Sequence, residues 1–332
     1  MIPVSNEVLN YLAESFAFEP STLEKIGGGR EDSDGVVYAS GYGLTRRTLK
    51  IIAKNINDAS AYFKTFERAH FFAYLGEHEV PVVTPMPNAN GRLIESCPIG
   101  EHIFLAYSYP FLHGETLRPE KWSDEVLESW GALIGQTHRL TQNYPVFDGI
   151  INPTTGEKTL NWHDEIKGFL NWCADEEVKD VWRSFQDRVS ALPATRKICG
   201  MVQNDPHMEN LLIHENNLCL IDFDVSNCHF FASDIAIAIQ SVLFTLSGGM
   251  ERPLSDKDAL LHFVCRLLKG YRQECDLPIE VLDAIELFIA YRRALLFTVM
   301  QDWLKTRPEQ FETWKRLTIE QPPIMELIKG GL

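Results

Sequence analysis

Residues 201–224, MVQNDPHMENLLIHENNLCLIDFD, place Asp205, Asn210 and Asp222 beside two short apolar runs. Such runs are ordinarily buried, and a carboxylate in low-dielectric surroundings is costly unless a cation or a hydrogen-bonding partner compensates it. The stretch therefore holds either an ion-pair network or a metal. NLLIH (210–214) and LCLIDFD (218–224) are separated by Glu215, Asn216 and Asn217, polar residues suited to a hairpin loop. Symmetric pairing about Asn216 sets His214 opposite Leu218, Leu212 opposite Leu220 and Asn210 opposite Asp222. Directly opposed Cβ atoms lie roughly 4.5–5.5 Å apart on one face of a ribbon. An amide oxygen and a carboxylate then converge at the open end, a donor pair that suits a hard cation such as magnesium. Asp205 lies on irregular chain five residues before Asn210. A carboxylate there can orient a hydroxyl nucleophile and take its proton, beside a metal that holds a transferring phosphate.

The order Asp, Asn five residues on, then Asp beyond a short hairpin is that of kinase catalytic loops. Residues earlier in the chain supply what such a site needs. Lys50 lies in the strand-like run TLKII, where its ammonium can reach nucleotide phosphates. Glu67, in the helical stretch FKTFERAHFF, can pair with that lysine and hold it in place. IGGGREDSDGVVY, with Gly28 and Gly29, would form a flexible cover over the phosphates. It is not a Walker A loop, since G-x-x-x-x-G-K-[ST] occurs nowhere in the chain. LAYSYPF falls where a hinge would meet adenine through backbone groups.

Composition narrows the class further. With 332 residues, 45% apolar and 23% charged, the chain has the make-up of an ordinary globular protein with a substantial core. A formal net charge of −15 argues against a general nucleic-acid binder, which needs clustered Lys and Arg. The seven cysteines include no C-x-x-C pair and several, Cys219 and Cys265 among them, sit in apolar runs, so buried reduced thiols are expected. No signal-peptide pattern or membrane-length apolar window occurs, and a cytoplasmic location with no membrane partner is expected.

Hydrophobic periodicity divides the chain in two. Residues 1–20 read as an amphipathic helix with Val8, Leu9, Leu12 and Phe16 on one face, followed by glycine-punctuated strands to about 55, a helix over 58–78, and strands near 92–97 and over 102–109. From PFLHGETL onward the pattern is almost wholly helical, apart from the hairpin; SDEVLESWGALIGQTHRLTQ opens on a capping signal at Ser123. The expectation is an α+β chain: an antiparallel-sheet N-lobe over 1–109 that binds nucleotide, and a larger, mainly helical C-lobe over 110–332 that is catalytic and binds the acceptor. Asp234 is expected to cap a helix or brace the loop, and His207 to support it. Tyr271, Tyr291 and Trp303 read as core aromatics, although one could line an acceptor pocket with Asp302.

QNDPHMEN, LIDFD, ALIGQTHRL and SDIAIAI together resemble the aminoglycoside phosphotransferase and choline-kinase-like superfamily, whose bilobal fold is that of protein kinases. Its members carry His-Gly-Asp-Leu-His-x-x-Asn followed by Ile-Asp-Phe-Asp or Ile-Asp-Trp-Glu. The resemblance covers about residues 20 to 305 and implies Asp205 as catalytic base, with Asn210 and Asp222 as magnesium ligands. It implies ATP or GTP as donor and a small-molecule hydroxyl as acceptor, of aminoglycoside, choline or homoserine type. Gln203 and Asn204 stand where the motif has His-Gly; Gln203 retains a hydrogen-bond donor. A stress-type protein kinase and a nucleotide-binding pseudokinase are the alternatives.

Overall fold

RTLKIIAKN carries the β-branched Thr48, Ile51 and Ile52 that favour a strand, in a run buried from Thr48 to Ile52. It forms β3 (Arg47–Asn55), the middle of a five-stranded antiparallel sheet in which it is flanked by β2 (Gly35–Ser40) and β5 (His102–Pro110). β1 (Glu24–Gly28) and β4 (Glu95–Ile99) are the outer strands. Leu49, Ile51, Phe104 and Ala106 form one buried cluster with Val8 and Leu12 from the apolar face of α1 (Asn6–Ser15) and with Phe16 at its C-cap. Burying each large side chain is worth about 1.5–3 kcal/mol. Because side chains alternate along a strand, Lys50 faces away from that cluster, in register with Tyr107 of β5. There Phe223 packs between Phe72 of α2 (Ser60–Glu77) and Tyr107, with ring centroids 4.6 and 4.8 Å away.

The computed structural model describes residues 3–28, 35–58, 60–144, 161–250, 252, 254 and 256–324. They fall into two compact units. The first holds the described residues up to Glu115 together with Cys219–Asp224, and the second the described residues from Thr116 to Leu218 and from Val225 onward.

The second unit is mainly helical. After the short β6 (Glu115–Thr116) comes α3 (Asp124–Thr141), whose first turn is closed by Ser123 Oγ accepting from the Val126 amide at 3.3 Å. α4 (Trp162–Trp172) and α5 (Glu176–Ser190) follow. β7 (Cys199–Val202) leads into the loop that carries Asp205 and pairs antiparallel with β10 (Asn227–Phe230). α6 (Phe231–Ser247), α7 (Lys257–Glu274), α8 (Ile279–Lys305) and α9 (Pro308–Glu320) complete it. α3 and α7 meet through glycine: a Cβ on Gly131 would lie 1.8 Å from the Leu267 carbonyl oxygen, and one on Gly270 1.8 Å from that of Glu128. No helix among the described residues is long and apolar enough to cross a membrane.

The hairpin differs from expectation in register. β8 (Leu211–His214) and β9 (Asn217–Leu220) are joined by two residues, not three. Glu215 and Asn216 both have positive φ, +48° and +65°, the backbone that lets a two-residue loop match the twist of its strands. The pairing slips by one position, and neither Asn210 nor Asp222 lies in a strand: Asn210 closes a 3₁₀ turn from Met208, and Asp222 has φ +57°. All seven cysteines are free thiols, but Cys219 and Cys265 are only half-buried. Cys219 alternates with the buried Leu218 and Leu220, so the strand turns it outward.

Candidate active site

The site residues expected from the sequence gather in two sets, one in each unit. In the first, Lys50 Nζ lies 3.1 Å from Asp222 Oδ1 and 2.7 Å from Asp224 Oδ2. The Tyr107 hydroxyl donates to Asp224 Oδ1 at 2.9 Å, and the Asp224 amide donates to Asp222 Oδ1 at 3.3 Å. Burial pulls the Lys50 pKa down, but the charges of Asp224 and Asp222 outweigh it and the ammonium is held above its ordinary range. Burial pushes Asp224 up, yet the Lys50 charge and the hydrogen bonds from Lys50 and Tyr107 leave it below the usual carboxylate value. Asp222 goes the other way: burial and the neighbouring Asp224 charge raise it, and Lys50 offsets them only in part. Tyr107 is raised well above its ordinary value by burial and then by the two carboxylates, so it stays a phenol donor.

Two expected members behave differently. Glu67 is buried on α2, but the charge partners of Lys50 are Asp222 and Asp224, not Glu67. Gly28 ends β1 with φ +67°, and a Cβ there would lie 2.1 Å from the Gly35 carbonyl oxygen. That glycine is demanded by the strand pairing itself. Gly29 and the acids Glu31, Asp32 and Asp34 lie outside the described residues.

The second set is built on the loop after β7. Asn210 Nδ2 donates to the Asp205 carbonyl at 3.0 Å and to Asp205 Oδ2 at 3.2 Å. The amide nitrogen is thereby pinned, and the amide oxygen has no protein donor among the described residues. His207 Nε2 lies 3.3 Å from Asp205 Oδ2, and its Nδ1 accepts from the Glu209 amide at 3.2 Å, as a loop support should. Asp234 braces the loop and does not cap α6: it accepts from the amides of Gln203 and Asn204 at 3.3 and 2.9 Å. His138 bridges Asp234 and the Tyr271 hydroxyl at 3.2 and 3.0 Å.

Gln203 Oε1 accepts from the Asp205 amide at 2.6 Å. Asn204 has φ +67°. It stands where the family motif has glycine, and asparagine is among the few other residues that tolerate the left-handed region. Its Nδ2 donates to Glu165 Oε2 at 2.6 Å and to the Val225 carbonyl at 3.2 Å.

Three groups escaped the sequence reading. Arg292 Nη2 is ion-paired with Asp205 Oδ1. Burial raises the Asp205 pKa, but Arg292 and then His207 outweigh it and hold the carboxyl below its usual value. Glu165 on α4 accepts from Asn204, from Asn227 Nδ2 at 2.8 Å and from the Tyr291 hydroxyl at 2.7 Å. Tyr107 is the third. The signal for Arg292 was the Arg-Arg step in LFIAYRRALLFTVM, two charges inside an otherwise apolar helix. Tyr271 and Tyr291 are core aromatics as expected. Trp303 is 40% exposed, under the Arg307 guanidinium, while Asp302 pairs with Lys305.

Comparison with known proteins fits this geometry. Over 226 residues the chain is 26% identical to amicoumacin kinase of Bacillus subtilis (strain 168), a match covering 67% of this chain and 64% of that relative, so it spans just under two thirds of the relative's length. An amicoumacin kinase solved in complex with AMP-PNP, Ca2+ and Ami superposes with a TM-score of 0.82 at 23% identity, covering 96% of this chain and 94% of that one. A microcompartment-associated aminopropanol kinase gives 0.67 at 15% identity, covering 98% and 95%. These likenesses establish a shared α+β kinase-like fold. Residues 23–277, a span that holds Lys50, Asp205, Asn210 and Asp222, match the phosphotransferase enzyme family, and the chain belongs to that family.

Proposed function

We propose that the protein transfers the γ-phosphate of ATP or GTP to the hydroxyl of a small molecule, with Mg2+ as cofactor. The observation that carries this reading is Asp205, a half-buried carboxylate kept ionised, with Oδ2 held by Asn210 and His207 of a loop with the family's spacing and Oδ1 by Arg292 of α8. In the proposed step the acceptor oxygen bonds to the γ-phosphorus as the bond from that phosphorus to the leaving β-γ bridging oxygen breaks. The hydroxyl proton passes to Asp205, and the nucleoside diphosphate departs. Lys50 would orient the phosphates.

Among the described residues no three His, Cys, Asp or Glu side chains meet as a ready-made metal cage. Magnesium does not need one, since it binds through one or two carboxylates and the substrate phosphates. Asp222 and the oxygen of Asn210 are hard donors of the right kind, and Asp224 can join them. The ion, when bound, would neutralise phosphate charge. In this reading residues 1–109 hold the nucleotide and 110–332 the acceptor, with Cys219–Asp224 serving the nucleotide side. Asn204 in the glycine position keeps the loop backbone in shape, which weakens the pseudokinase alternative.

The test is transfer from ATP or GTP with Mg2+ to a panel that includes the molecules named by its relatives, amicoumacin and aminopropanol, followed by mass spectrometry. A phosphorylated product is expected, and Asp205→Asn should slow its formation ~10²–10⁴-fold. Undiminished transfer by that variant would exclude Asp205 as the base.

A further inference from the structure

Within the second unit, four segments meet at one carboxylate behind the catalytic loop. Glu165, in the first turn of α4, has a side chain only 14% exposed. Its Oε2 accepts from Asn204 Nδ2 of the loop at 2.6 Å and from Asn227 Nδ2 of β10 at 2.8 Å, and its Oε1 accepts from the Tyr291 hydroxyl of α8 at 2.7 Å. All three donors are neutral, and among the described residues no Lys or Arg lies within ion-pairing distance of it. His229 Nε2 stands 3.7 Å off, beyond hydrogen-bond reach. Three donors arriving from three elements call for a carboxylate, because a glutamine would turn its own NH₂ toward one of them. The arrangement is locally unfavourable. His229 Nε2 and Asn227 Oδ1 are buried without a hydrogen-bond partner among the described residues, and Asn204 holds φ +67°. A core built for stability alone would carry none of these three, and such features gather where backbone geometry serves function.

From this juxtaposition we infer that Glu165 is a positioning residue for the phosphotransfer step, acting on Asp205 through Asn204. The left-handed bend at Asn204 sets the direction in which the chain enters Asp205. Glycine would hold that bend at no steric cost, whereas an untied asparagine favours right-handed or extended backbone. The bonds from Asn204 Nδ2 to Glu165 and to the Val225 carbonyl form with the backbone bent, and so select that conformation. The tie thus does for asparagine what the absence of a Cβ does for glycine. Asp234 anchors the loop just upstream and Arg292, His207 and Asn210 hold the Asp205 carboxylate, which leaves Glu165 in control of the joint between them. The inference rests on the phosphotransferase reading for the step that is affected, and on the contacts alone for the tie.

The test is a double-mutant cycle on the full chain, with ATP, Mg2+ and an acceptor of the panel that the parent phosphorylates. Glu165→Gln in the parent should lower kcat ~10–100-fold, the scale of a small misplacement of a reacting group, with both KM values held within about threefold. In an Asn204→Gly background the same substitution should lower kcat by less than about threefold, because the bend no longer needs the tie. The loss of melting temperature caused by Glu165→Gln should persist in that background, since Asn227 and Tyr291 still face the altered side chain. Recovery of kcat without recovery of stability separates positioning from general support. An equal kcat loss in both backgrounds, or none in the parent, overturns the assignment and leaves phosphotransfer standing. If Glu165→Gln does not fold, Glu165→Asp, whose carboxylate is one methylene short, takes its place in the cycle. Hydrogen exchange over residues 203–210 reads the tie without turnover: Glu165→Gln should speed it in the parent and add little beside Asn204→Gly. Should the parent phosphorylate none of the panel, the phosphotransferase reading fails and exchange decides on the tie alone. Faster exchange in Glu165→Gln then supports the tie, and unchanged exchange overturns it.

Discussion

Replacing Lys50 by methionine removes a cation that two carboxylates share at 3.1 and 2.7 Å. The two losses are unequal. The Asp224 side chain is 18% exposed and that of Asp222 44%, so Asp224 behaves as a buried partner and Asp222 as a largely screened one. Breaking a buried pair from one side costs about 3–5 kcal/mol and a surface pair about 0–1; with Asp224 near the low end of the first, the expected loss is about 3 kcal/mol. The pH dependence gives a second handle. In the parent Asp224 is depressed, so its stabilisation is present above the unfolded carboxylate value and is lost as pH falls through the folded one. Without Lys50 both carboxyls move above their unfolded value, and the deficit, full at neutral pH, fades as acid protonates them. Urea unfolding of Lys50→Met should therefore show a smaller deficit at pH 5 than at pH 7. Adding Asp224→Asn to that variant should recover stability, because it removes the stranded charge. A deficit independent of pH, or a further loss in the double variant, would refute this electrostatic account.

Other perturbations probe the second unit. Gly131→Ala should destabilise it by about 1–3 kcal/mol in urea melts, since the new methyl must push α3 from the Leu267 backbone. Asn204→Ala loses both the Glu165 bond and the tolerance for φ +67°, and should cost about 2–4 kcal/mol, whereas Asn204→Gly should cost less because it regains the backbone freedom. Burial holds the His229 imidazole below its ordinary pKa, only partly offset by Glu165 and Asp234. The unfolded chain takes up that proton first, so stability should fall as pH drops below about 6.5, and His229→Gln should flatten that slope in a pH series of unfolding midpoints.

What could be read from the sequence was local. The strand-like run TLKII, the Ser123 cap and the Asp205-to-Asn210 spacing each depend on residues within a turn or two of one another, and each was legible. The hairpin register was not, because three polar residues in a row suit loops of two or three residues equally. Only the backbone angles of Glu215 and Asn216 separate the two. The carboxylates beside Lys50 were hidden for a different reason: a 172-residue separation between Lys50 and Asp222 gives no pattern to detect. Arg292, 87 residues from Asp205, was hidden in the same way.

Tyr291 and Arg292 are adjacent on α8, and they hold the loop at two points, one through Glu165 and Asn204, the other at Asp205 itself. Turning the helix by a single residue would rotate both grips away at once, so α8 acts as a fixed rail at that height. Leu296 and Met300 follow Arg292 at successive four-residue steps and, with His207 and Arg292, line a cavity of about 300 Å³. Substitution at 296 and 300 would therefore reshape the cavity wall without removing the side chains of 291 and 292 that make the grips.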